Sequence, residues 1–139
     1  MSLEELVAIT KDVISAIISK PKMAEKLLSK PPFRFLHDVF SGITTTTGFA
    51  EGLMQGDELN SASITDKSAK IAYLEKLFNF LGVCTGKSYE VRAAKVVAGL
   101  EPENTNIFLT AFAEAASDSS YDTNAAVERC LNGEQAGTG

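Results

Sequence analysis

One histidine, two cysteines and a pair of glutamates around Pro102 are the side chains in this sequence whose types could carry chemistry. Catalysis needs a positioned acid, base, nucleophile, metal or cofactor cradle, so each must be asked for its partners. His37 stands one helical turn after Phe33 and three residues before Phe40. That setting reads as a core histidine with one hydrogen bond rather than a base or ligand. No second histidine and no cysteine at ligand spacing accompanies it, so no metal site is expected. Cys84 and Cys130 read as free buried thiols of an intracellular chain rather than a disulfide. The glycines at 42, 48, 52 and 56 match neither a phosphate loop nor a dinucleotide turn. Glu101 and Glu103 flank Pro102, where they read as favourable charges at a helix amino terminus. The sequence therefore predicts no enzyme and no cofactor.

What remains is charge. The chain has a formal net charge of −5, which argues against generic nucleic-acid binding. Its basic residues are nevertheless concentrated. Residues 11–34 hold Lys11, Lys20, Lys22, Lys26, Lys30 and Arg34 against only Asp12 and Glu25. Lys22, Lys26 and Lys30 recur four apart and are expected to stack as one column on a helix, with Arg34 following across a proline corner. Arg92 and Lys95, three apart, are expected to share one face of a helix, with Lys87 just before it. Blind to any family, such sets read as a solvated face.

The elements that must position these residues are helices. Residues 3–19 carry Leu3, Leu6, Val7, Val13, Ile14, Ile17 and Ile18 on one side, an amphipathic pattern ended by Pro21. Pro31 and Pro32 stop a short helix over 22–29 and let another start at once. On that helix Phe33, Leu36, Phe40 and Ile43 form the predicted core face, with Arg34, Asp38, Ser41 and Thr45 opposite; Gly48 is its predicted cap. Residues 49–63 are irregular, with room for one or two helical turns, and are expected to be the most mobile interior loop. A long helix follows from Thr65 or Asp66 to about Val83 on Ile71, Leu74, Leu77, Phe78 and Leu81. Others are predicted over 89–98, 102–117 and from Asp122 to Gly133, the last with Ala126, Val127, Cys130 and Leu131 inward.

Length and composition agree with one globular domain. At 139 residues, with 45% hydrophobic and 22% charged content, a single core is sufficient. No apolar run approaches a ~20-residue membrane span. The amino terminus has neither the basic start nor the apolar block of a secretory signal, which points to the cytosol. The fold class is all-α, with six to seven helices over residues 1–133. Residues 134–139 are polar and glycine-rich and read as the disordered start of a linker.

Two stretches add a resemblance. LLSKPPFRFLHD at 27–38 and AGLEPENTN at 98–106 resemble the amino-terminal domain of the microtubule-interacting, TRAF-interacting protein family, subunit fifty-four of the intraflagellar transport B complex. The resemblance extends over residues 6–133. It implies a calponin-homology fold, tubulin or microtubules as partner, and a place in the cytoplasm, cytoskeleton, cilium or flagellum and basal body. In that family the domain precedes a disordered middle and a coiled coil, which carry the contacts to other transport subunits. It also turns the basic residues into a candidate site: Lys22, Lys26, Lys30, Arg34, Lys87, Arg92 and Lys95 would form a patch against acidic tubulin. The alternative is a module that docks another transport subunit through an apolar groove. Actin binding is disfavoured, because actin-binding relatives commonly carry an early tryptophan and work in tandem, whereas this chain has no tryptophan and one domain.

Overall fold

The computed structural model describes residues 1–136. Among them are seven α-helices and no strand: α1 Leu3–Ser15, α2 Glu25–Ser29, α3 Phe33–Thr47, α4 Lys67–Thr85, α5 Ala93–Val97, α6 Pro102–Ala116 and α7 Thr123–Leu131. Two 3-10 turns, Gly56–Leu59 and Ser61–Ser63, fill the irregular stretch between α3 and α4. Among the described residues no helix is long and apolar enough to cross a membrane.

Local capping marks several boundaries. Ser2 and Glu5 form a reciprocal capping box at the start of α1. Gly48 closes α3 with φ +81, as its position after four threonines predicts. Asp122 accepts the Ala125 N–H at the start of α7.

The core is built on phenylalanine edges. Phe40 meets Phe112 at 5.0 Å and Phe108 at 6.0 Å between ring centres, and Phe49 bridges Phe112 to Phe80 at 5.1 and 5.2 Å. Edge-to-face pairs of this kind add about 0.5–1.5 kcal/mol to the burial of the rings. Around this centre α1 packs on α6, while α5 and α7 both pack on α4.

Two predicted helix faces prove too narrow. On α3, Phe35, His37 and Val39 are buried along with Leu36, Phe40 and Ile43. Phe33 is only half-buried, because at the mouth of the helix it stands edge-on to Tyr73 beneath the Lys70 ammonium. On α4 the buried set is Tyr73, Leu74, Leu77, Phe80, Leu81, Gly82 and Val83, with Ile71 and Phe78 half-buried. A helix covered by two others has no single dry stripe.

Other differences are local. Leu131, expected inward, is 46% exposed, since α7 buries only Ala126 and Val127. Cys84 and Cys130 are free thiols, half-buried, and burial pushes both up. Residues 134–136, read as linker, are fastened to the domain: Asn79 Nδ2 donates to the Glu134 carbonyl at 2.9 Å and Asn79 Oδ1 accepts the Ala136 N–H at 2.6 Å. Gly82 permits this, for a Cβ there would meet that of Ala136 at 2.6 Å. Residues 137–139 of the expected linker lie outside the described residues.

Candidate functional site

The seven predicted basic residues do not form the two helical sets expected of them. Helix α2 has five residues, so Lys26 alone of Lys22, Lys26 and Lys30 lies within it. Met23, 3% exposed, is drawn into the core and Ala24 is extended before the helix begins, which leaves Lys22 outside. Lys30 ends the helix at φ −151, as expected of a residue before proline. There is no Lys22–Lys26–Lys30 column. Arg34 is exposed in the first turn of α3.

The predicted helix over 89–98 is likewise shorter. Residues 86–92 are not helical, and α5 begins only at Ala93, with Arg92 as its extended N-cap. Tyr89 explains the difference. Its ring stands edge-on to Phe108 at 5.6 Å and its hydroxyl shares a 3.0 Å hydrogen bond with the Thr85 hydroxyl. These contacts hold the segment stretched along α6. Lys87 consequently sits at the carboxy-terminal end of α6, in a cleft lined by Tyr89, Glu114, Asp118 and Tyr121. Arg92 sits at the other end, where its guanidinium grips both oxygens of Glu101.

Three of the seven meet in one corner. Asn106, fully buried in α6, donates from Nδ2 to the carbonyls of Leu28 at 2.8 Å and Pro102 at 2.9 Å, stitching the end of α2 to the start of α6. The Lys30 side chain then lies across Gly99, close enough that a Cβ at 99 would come within 2.7 Å of its Cε. Gly99 is left-handed at φ +76, which glycine adopts freely, and it links α5 to α6. Lys95 lies one turn earlier on α5 and joins Arg92 in acting on Glu101. The Arg92 guanidinium first, and the charge of Lys95 behind it, hold the Glu101 carboxyl below its ordinary range. Lys30, Arg92 and Lys95 therefore share a basic corner built on the turn 99–101. Among the described residues the close ion pairs are Lys76–Glu58, Arg92–Glu101 and Arg129–Glu134; Lys30 is in none of them, and Lys95 acts on Glu101 only at longer range, behind Arg92.

The chemistry-bearing residues are accounted for structurally. His37 is 3% exposed; its Nε2 bonds the Glu58 carbonyl at 2.9 Å, its Nδ1 faces the Ser41 hydroxyl at 3.4 Å, and its ring stacks on Tyr73 at 4.9 Å. Glu101 is not a simple helix-start charge, since it is spent on Arg92. No group of three His, Cys, Asp or Glu among the described residues could hold a metal ion. Gly99 and Asn106, which shape the corner, carry no charge, so no pattern of charges reveals them. Their signal lies in the motif AGLEPENTN, where a glycine three residues before a proline-led helix marks a constrained turn.

A family model described as the CH-like domain of microtubule-binding protein MIP-T3 matches residues 6–118, a span that contains both motifs and all seven basic residues. The chain belongs to this family. Its seven-helix architecture is accordingly CH-like. Similar curated proteins are TRAF3-interacting protein 1 of Danio rerio, 40% identical over 126 residues, and its namesakes of Rattus norvegicus and Mus musculus at 37% and 36%. In each case the match covers 91% of this chain and 19–20% of the relative. The chain thus spans about a fifth of the length of these relatives.

Proposed function

We propose that this domain is a non-catalytic adaptor that docks on tubulin, as soluble dimer or microtubule lattice, through the corner formed by Lys30, Arg92 and Lys95. Lys26 and Arg34, close to Lys30 along the chain, extend it. The observation that carries the reading is the meeting of Lys30 and Lys95, neither in a close ion pair among the described residues, at one constrained turn, in a CH-like family named for a microtubule-binding protein. On a chain of net charge −5 such a corner orients the domain toward an acidic partner. In this reading the parent protein acts in the intraflagellar transport B complex during cilium assembly, at the cytoskeleton, basal body and cilium, and regions beyond this chain hold the other transport subunits.

The test is a binding titration of the domain against αβ-tubulin at low and physiological salt. Wild type is expected to bind more weakly as salt rises. The double variant Lys30→Glu and Lys95→Glu is expected to lose at least tenfold in affinity, as two surface contacts of ~1 kcal/mol each require. Equal binding by this folded variant would remove the corner from the interface.

One observation favours a second reading. A cleft of about 190 Å³ between α3 and the following loop is lined by Phe40, Leu53, Met54 and Leu77, with Leu59 64% exposed at its edge. Absence of tubulin binding at both salts would turn attention to this cleft as a docking groove for another protein.

A further inference from the structure

Leu100 is the middle residue of the turn 99–101 on which the basic corner is built, and it is 51% exposed. Its neighbours on both sides are left-handed, Gly99 at φ +76 and Glu101 at φ +53. A helix that ends on a left-handed glycine ordinarily folds the next apolar residue back onto its last turn. Here the closing bond is made, from the Leu100 N–H to the Lys95 carbonyl at 2.8 Å, yet the side chain stays half in water.

The turn that holds it there is costly. Glu101 is neither glycine nor asparagine, and it precedes Pro102, so a left-handed backbone is disfavoured twice over. Such a conformation persists where its surroundings over-determine it. Arg92 clamps the Glu101 carboxylate, and the Glu101 carbonyl accepts from the Asn104 and Thr105 amides at 3.1 and 3.4 Å. A strained, clamped turn that exposes a leucine resembles a presented contact more than a packing defect.

We propose that Leu100 is the apolar anchor of the docking surface, seating in an apolar depression on an acidic protein face while Lys30 and Lys95 engage the carboxylates around it. The inference rests on the tubulin reading above and adds to it a residue outside the basic set. The other exposed large apolar side chains lie elsewhere: Met1 is at the amino terminus, Ile9, Ile107 and Leu131 lie on the surfaces of α1, α6 and α7, and Leu59 follows Glu58 at the edge of the α3 cleft. Leu100 follows the glycine that Lys30 lies across, and its N–H bonds the Lys95 carbonyl. An apolar centre within a polar rim is the usual anatomy of a protein interface, and a basic rim selects an acidic partner.

The experiment compares wild type, Leu100→Ala, Leu100→Met and Ile107→Ala in titrations against αβ-tubulin at two salt concentrations, with melting followed by circular dichroism. Leu100→Ala is expected to bind about tenfold more weakly at both salts, with unchanged melting temperature and unchanged salt dependence. Leu100→Met, which keeps the apolar bulk, and Ile107→Ala are expected to bind like wild type. Wild-type affinity in Leu100→Ala, or an equal loss in Ile107→Ala, would overturn the anchor while leaving the electrostatic docking intact. No binding by wild type at either salt would overturn the docking reading, and the anchor with it.

Discussion

The side chain of Lys30 lies across the α-carbon face of Gly99, joining the end of α2 to the turn between α5 and α6. A methyl group at 99 would stand 2.7 Å from Lys30 Cε and 3.7 Å from its Nζ, on a backbone at φ +76. Gly99→Ala is therefore expected to cost about 1–2 kcal/mol of stability from the left-handed backbone alone. Lys30 is flexible and will swing aside, so tubulin affinity should fall several-fold as well. Urea unfolding and the tubulin titration read the two effects separately; full stability would show that the turn tolerates a side chain, and full affinity that Lys30 need not lie where it does.

Lys87 provides the contrast. It lies near Glu114 and Asp118 in the cleft at the far end of α6, where its charge, after the hydrogen bonds from Ser120, helps keep the Asp118 carboxyl low. Lys87→Glu should leave tubulin affinity within about twofold of wild type, while Lys30→Glu lowers it severalfold. A loss at Lys87 equal to that at Lys30 would mean that the interface runs the whole length of α6.

Much of this architecture could be read from the residues. Pro31 and Pro32, Gly48, Pro102 and Asp122 marked helix ends through backbone chemistry that acts locally, and all of them fall at or beside a boundary. Where local pattern and structure differ, a distant contact overrules a local preference. The 87–92 segment has nothing in its own sequence that forbids a helix; it is stretched because Tyr89 finds Phe108, nineteen residues away. Met23 shortens α2 in the same manner, and two neighbouring helices widen the buried surface of α4. The site departs furthest from local pattern: periodicity groups Lys22, Lys26 and Lys30, whereas the corner is assembled by Asn106 and Gly99.

The buried phenol of Tyr73 makes a prediction about pH. Tyr73 is 3% exposed and stacked on His37, and burial pushes its phenol far above the ordinary value of 10.0, only partly offset by Ser41. A group whose neutral form is favoured by folding contributes full stability below its unfolded pKa and loses it as pH rises above that value. Above pH 10 the unfolded chain ionises at this residue and the folded one does not, so stability should fall by about 1.4 kcal/mol per pH unit from this group. Tyr73→Phe removes that loss. Urea midpoints measured from pH 9 to 11.5 should decline less steeply in the variant than in wild type; parallel curves would show that Tyr73 ionises in place.

Asn106 offers the sharpest test of how α2 is held. Its Nδ2 satisfies the Leu28 and Pro102 carbonyls, while its Oδ1 is buried with no partner. Asn106→Ala should cost about 2–3 kcal/mol, because it strands the Leu28 carbonyl and opens a small void. Asn106→Asp goes further, and in a pH-dependent way. An aspartate there has one oxygen facing two carbonyls and the other facing nothing, so its charged form is disfavoured and its folded pKa rises above the ~3.9 of the unfolded chain. By the same linkage, the variant keeps most stability below pH 4, where a protonated carboxyl can still donate one bond, and loses it as pH rises toward 7. The stability deficit of Asn106→Asp relative to wild type should therefore be larger at pH 7 than at pH 4. A deficit that shrank with rising pH would mean that the residue at 106 meets donors rather than carbonyls, and that something other than this amide fastens α2 to α6.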